Sequence, residues 1–94
     1  MSRSFNLTII TPERTIFEGQ AISLVVPSVL GYLGILANHS PLLAKLKEGR
    51  IIIKKEADQP ALVLKNRGSG FLQVRDNQVN LLLDEKIQQQ DIQG

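Results

Sequence analysis

Cysteine is absent from the 94 residues, which excludes disulfide stapling, thiolate-bound zinc and a cysteine nucleophile, and predicts a reducing compartment. Aromatic residues are scarce: Phe5, Phe17, Tyr32 and Phe71. None lies between Lys45 and Arg67, where seven basic residues meet three acidic ones for a local charge of +4. Stacking on bases needs aromatic groups interleaved with cations, so the separation argues against a nucleic-acid partner, and the basic stretch reads as solvated strand faces. Elsewhere the charge is slight, cancelling up to Ala44 and reaching −2 from Gly68 onward, for +2 overall. No apolar run approaches the roughly 18 residues of a membrane span. Met1-Ser2-Arg3-Ser4 leads into alternating rather than continuous apolar positions, so neither a signal peptide nor direct membrane insertion is expected.

What is present suits one folded domain: 43% hydrophobic and 21% charged residues, too apolar for intrinsic disorder. Phe5, Leu7 and Ile9 alternate with Asn6 and Thr8, and Ile22, Leu24 and Val26, like Val79, Leu81 and Leu83, repeat the spacing. That two-residue period marks half-buried strands. Aliphatic runs over 49–55 and 61–65, separated by Asp58-Gln59-Pro60, predict a hairpin, and Asp76-Asn77 predicts a second tight turn. Pro12, Pro27, Pro41 and Pro60 leave no room for a long helix before the last dozen residues. The expected class is all-β, many short strands in a sandwich or small barrel. From Asp84 the alternation is lost and Ile87 and Ile92 share no helical stripe. Residues 1–84 are therefore expected to form the β domain, and 85–94 a short helical or disordered tail.

Reactive groups are few. His39, the single histidine, precedes Ser40, but adjacency in sequence does not face a base onto a nucleophile, and no acid stands out to orient them. One imidazole among scattered carboxylates matches no metal spacing. Gly68-Ser69-Gly70 lacks the Lys-Ser/Thr continuation of a phosphate loop and reads as a turn entering a strand. No catalytic, cofactor-binding or metal-ligating residue is expected. The densest unusual stretch runs from Pro27 to Pro41, where Gly31 and Gly34 flank Tyr32-Leu33. An apolar pair between glycines predicts an exposed loop tip serving as a contact surface.

That segment, Leu30-Gly31-Tyr32-Leu33-Gly34-Ile35-Leu36-Ala37-Asn38-His39-Ser40-Pro41-Leu42-Leu43, resembles the signature of the epsilon subunit of the rotary F-type ATP synthase. Leu7 to Arg14 is similar to that family's opening I-V-T-P-E-R, Phe17-Glu18-Gly19 to its F-x-G, and Leu46-Lys47-Glu48-Gly49 to its L-K-P-G. Gly70 to Val74 resembles G-F-L-E-V and Asn77-Gln78-Val79 matches N-x-V. The likeness is collinear from Leu7 to Asp84.

The resemblance implies a flattened β-sandwich of about ten short strands in two sheets. It also implies a non-catalytic central-stalk subunit that couples the c ring to the gamma subunit during proton- or sodium-driven ATP synthesis. Its partners would be gamma and the c-ring subunits, with the alpha/beta catalytic hexamer engaged indirectly, and its place the cytoplasmic face of the bacterial plasma membrane. By the same likeness Gly31, Tyr32, Leu33 and Gly34 would face the c ring, and Thr11, His39 and Ala44 would face gamma. Tyr32 stands where many members carry Glu, Asn38 where Gly is common and Ser40 where Ala is common. Typical members continue into a C-terminal helical hairpin that can restrain hydrolysis and in some members binds ATP. With the sequence ending at Gly94, little helix-mediated inhibition and no ATP binding are expected. Outside this family, the alternatives are a free-standing β-sandwich interaction module and, more remotely, a small hydrolase.

Overall fold

A computed structural model of the chain describes residues 3–84 and 87–89. Ten strands follow one another without a helix among the described residues: β1 (Phe5–Ile10), β2 (Thr15–Ala21), β3 (Ser23–Ser28), β4 (Gly31–Ile35), β5 (Leu42–Leu46), β6 (Gly49–Lys54), β7 (Leu62–Asn66), β8 (Gly70–Arg75), β9 (Gln78–Leu83) and β10 (Ile87–Gln89). The alternation read from the sequence is the alternation of burial: Phe5, Leu7 and Ile9 point inward from β1, and Val79, Leu81 and Leu83 from β9.

The strands form one continuous sheet that curls into two layers. One layer runs β4-β3-β6-β7-β10 and the other β5-β8-β9-β1-β2, joined where Ser28 at the end of β3 pairs with Leu46 at the end of β5. Every pairing is antiparallel except β1 with β9. Leu24, Val26, Ile35, Ile51, Ile53 and Leu64 from the first layer meet Leu7, Ile9, Leu72, Val74, Val79 and Leu81 from the second in a single core. Each such side chain contributes about 1.5–3 kcal/mol when removed from water, which is what holds two otherwise half-wet sheets face to face.

Both turns read from the sequence are present. β6 and β7 pair from Gly49↔Asn66 to Ile53↔Leu62, and Asp76 and Asn77, at φ 52° and 59°, make the β8–β9 turn. Buried polarity is satisfied: Asn66, fully shielded from solvent, donates to the carbonyls of Lys47 (3.0 Å) and Gly68 (3.1 Å). The tail differs from expectation. Ile87–Gln89 pairs with β7, Ile87↔Asn66 to Gln89↔Leu64, where a helical turn or disorder was expected. An edge strand offers backbone donors and acceptors to any adjacent segment, whatever its side-chain pattern. Residues 85–86 and 90–94, the rest of the expected tail, lie outside the described residues.

Candidate docking surfaces

Gly31 to Gly34 are not a loop tip. They belong to β4, paired with β3 from Ser28↔Gly31 to Val25↔Gly34. The turn is the two-residue step Val29-Leu30, which the sequence reading missed. Ser28 Oγ fixes it, accepting from the N–H of Leu30 (3.2 Å) and donating to the carbonyl of Gly31. Gly31 at φ +127° lets the chain re-enter the sheet directly, so the residues expected at the tip become strand. The tip is apolar, with Leu30 96% exposed.

Strand geometry then separates the expected contact residues. Leu33 pairs with the buried Val26 and packs against the core, whereas Tyr32 and Gly34 face out. Tyr32 is tethered, since its hydroxyl accepts the backbone N–H of Arg50 at 3.1 Å. Gly49 makes room for this: a Cβ there would stand 2.6 Å from Pro27 Cβ and 2.8 Å from Tyr32 Oη.

The other expected set is also divided. Thr11 sits in the β1–β2 turn, its Oγ1 accepting from the N–H groups of Glu13 and Arg14 (both 3.3 Å). His39 lies in the β4–β5 connection, with Nδ1 2.8 Å from the carbonyl oxygen of Ser40. Because β1 and β9 run parallel while β5 and β8 run antiparallel, Thr11 and His39 mark opposite ends of the second layer on strands three positions apart, roughly 20–25 Å from one another. Ala44 pairs with buried Leu72 and faces inward. No two of the three adjoin.

What joins Thr11 to His39 is the outer face of β5, β8, β9, β1 and β2. Register aligns Phe71, Leu82 and Ile10 across three strands, with Leu43 one step along. Leu43 is 72% exposed, Phe71 49% and Leu82 45%. Beside this row runs an uncharged ladder: Asn80 donates to Gln73 Oε1 (3.4 Å), Gln78 to Asn80 Oδ1 (3.1 Å) and Gln20 to Asn6 Oδ1 (3.3 Å). An apolar row edged by self-satisfied amides is suited to burial against another protein, and Lys45, paired with Phe71, places one cation at its β5 end. The signal was in the sequence: apolar residues at outward positions of alternating strands.

A cleft of about 950 Å³ between β2 and the β6–β7 turn is lined by Arg3, Phe17, Glu18, Gln20, Lys55 and Glu56 among others. Among the described residues no group of three or more His, Cys, Asp or Glu could hold a metal ion. No helix among them is long and apolar enough to cross a membrane.

Residues 4–89 match the family described as ATP synthase, Delta/Epsilon chain, beta-sandwich domain. The chain is 37% identical over 86 residues to the ATP synthase epsilon chain of Dichelobacter nodosus, covering 90% of this chain and 58% of that protein. It is 36% identical over 91 residues to the epsilon chain of Leptospira borgpetersenii, covering 97% of this chain and 69% of that protein. It thus spans about three fifths to two thirds of the length of these relatives. In fold it is similar to a chain of the Euglena gracilis mitochondrial ATP synthase, solved as OSCP/F1/c-ring, with a TM-score of 0.84 at 18% identity over 95% of this chain and 55% of that one.

Proposed function

Because the chain belongs to the ATP synthase delta/epsilon β-sandwich family, we propose that it is a non-catalytic subunit of the central stalk, coupling the c ring to gamma during ion-driven ATP synthesis at the cytoplasmic face of the membrane. The observation that carries this is the outer face of the second layer, where Leu43, Phe71, Leu82 and Ile10 stand outward with an uncharged amide ladder. Gamma docks there, with Thr11 and His39 bracketing the contact and Ala44 supporting it from beneath. The c ring meets the Val29-Leu30 tip and the outward residues of β4, Tyr32 and Gly34, while Gly31 shapes the turn and Leu33 anchors it to the core. A torque-bearing adaptor needs rigid sheets and two separate surfaces rather than a reactive centre, and two continuous five-strand layers supply them.

Co-purification tests this. Tagged chain added to a low-salt membrane extract is expected to recover gamma and c-ring subunits. Folded chain that recovers neither overturns the proposal, and recovery of a different protein in their place supports a free-standing interaction module.

A further inference from the structure

The end of the domain that carries the Val29-Leu30 tip also gathers cations. Lys47 donates its backbone N–H to the carbonyl of Pro27 (2.8 Å) and Arg50 donates its own to the Tyr32 hydroxyl (3.1 Å), so both are fastened to the β3–β4 hairpin that forms the tip. Lys65 lies directly opposite Arg50 on β7. Like charges facing each other across a strand pair are destabilising, and no carboxylate of the described residues is within ion-pair distance of Lys47, Arg50 or Lys65. Glu48 is exposed in the same β5–β6 connection, and Arg67 and Asp84, one of each sign, follow β7 and β9 at the same end. Lys45, on the other side of the tip, edges the row assigned to gamma.

These cations spread rather than converge. Lys47 lies in the β5–β6 connection, Arg50 on β6 and Lys65 beside it on β7, so they build no pocket around a single anion and instead suit a broad field of negative charge. Val29, Leu30 and Tyr32 stand exposed beside them. An exposed leucine at a turn, a tyrosine whose hydroxyl is already partnered, and flanking lysine and arginine form a composition that settles at the headgroup level of a bilayer. Apolar contact and charge attraction reinforce each other there, and mobile headgroups match scattered cations without a preset geometry. We propose that this end of the domain seats on anionic phospholipid headgroups, Lys47, Arg50 and Lys65 on the phosphates and the apolar tip shared between the ring loops and the lipid beside them. The contact goes beyond the ring docking and needs no ring to form.

The test uses the full chain and protein-free vesicles, so its outcome is separate from recovery of the c ring. Vesicles of phosphatidylglycerol with phosphatidylcholine are expected to sediment the chain, and phosphatidylcholine alone to leave it in solution. About 1 M NaCl, which shortens the screening length to about 3 Å, is expected to release it. Lys47→Gln/Arg50→Gln is expected to weaken binding about tenfold while its thermal midpoint stays level or rises. Lys54→Gln/Lys55→Gln removes the same charge at the far end of β6, where Lys54 pairs with Ser23, and is expected to leave binding unchanged. No binding, equal binding to the neutral vesicles or an equal loss in the far-end variant each overturns the proposal. So does displacement by millimolar inorganic phosphate, which points to a free anion, or equal binding to soluble polyglutamate, which points to an acidic protein.

Discussion

The side-chain carbonyl of Asn77 accepts the backbone N–H of Asn38 at 2.7 Å, tying the β8–β9 turn to the β4–β5 connection 39 residues away. Asn77 Nδ2 also donates to the carbonyl of Ser4 at 2.9 Å. One side chain thus fastens the entry to β1, the turn it occupies and the segment carrying His39. It does so from a left-handed backbone at φ 59°, which asparagine tolerates better than most residues.

Two substitutions separate the clamp from the turn. Asn77→Gly keeps the backbone geometry and loses both side-chain hydrogen bonds, costing about 1–2 kcal/mol. Asn77→Ala adds the left-handed penalty of roughly 1–2 kcal/mol and is expected to be the less stable in urea melts. Equal midpoints for the two would show that the φ value carries no cost.

The inward face of β9 gives a second comparison. Leu81→Ala is expected to cost roughly 2–5 kcal/mol through lost burial and the cavity left behind. Gln78→Ala, on the outer face, is expected to cost less than about 1 kcal/mol. A matched pair of melts would place the strand one residue out of register and invert its face.

Tyr32, Gly49 and Arg50 form a single contact across β3. Gly49→Ala forces a methyl against Pro27 and the Tyr32 hydroxyl and is expected to cost at least roughly 1–3 kcal/mol. Tyr32→Phe removes only the hydrogen bond to Arg50 N–H, about 0.5–1.5 kcal/mol. If thermal midpoints put Tyr32→Phe below Gly49→Ala, the hydroxyl rather than the close approach would dominate.

The proposed ring contact is tested at the tip. Leu30→Ser changes a side chain almost wholly in solvent, so stability is expected to shift by no more than about 0.5 kcal/mol. Assembly with purified c ring is expected to weaken, because an exposed apolar side chain at a turn contributes only when a partner covers it. Normal assembly of this variant would remove the tip from the interface.

Periodicity made β1, β9 and the β6–β7 hairpin legible, because a buried face imposes its two-residue rhythm on the sequence directly. It was less informative where backbone hydrogen bonding decides alone. Glycines at Gly31 and Gly34 suggested a loop, yet Ser28 closes a two-residue turn early and the glycines fall into β4. Ile87–Gln89 pairs as an edge strand despite lacking a strand pattern. Thr11 and His39 were singled out through a family likeness, and nothing in their spacing shows that one outer face lies between them. The outward residues Ile10, Leu43, Phe71 and Leu82 could have been found by asking which apolar residues sit on the wrong phase of the alternation.

The parallel pairing of β1 with β9 sets the order in which the chain can acquire its shape. β1 is flanked by β2 and β9, and Asn6 to Ile10 find their second neighbour only in Gln78 to Leu82. A nascent chain emerging from the ribosome can close the β1–β2, β3–β4 and β6–β7 hairpins early, but its second layer stays open until residue 83 is free. Pairings of such long sequence separation place folding on the millisecond-to-second scale characteristic of all-β domains. During that interval the β1 edge stays unpaired, so premature contact with a neighbouring chain is most hazardous before the ninth strand arrives.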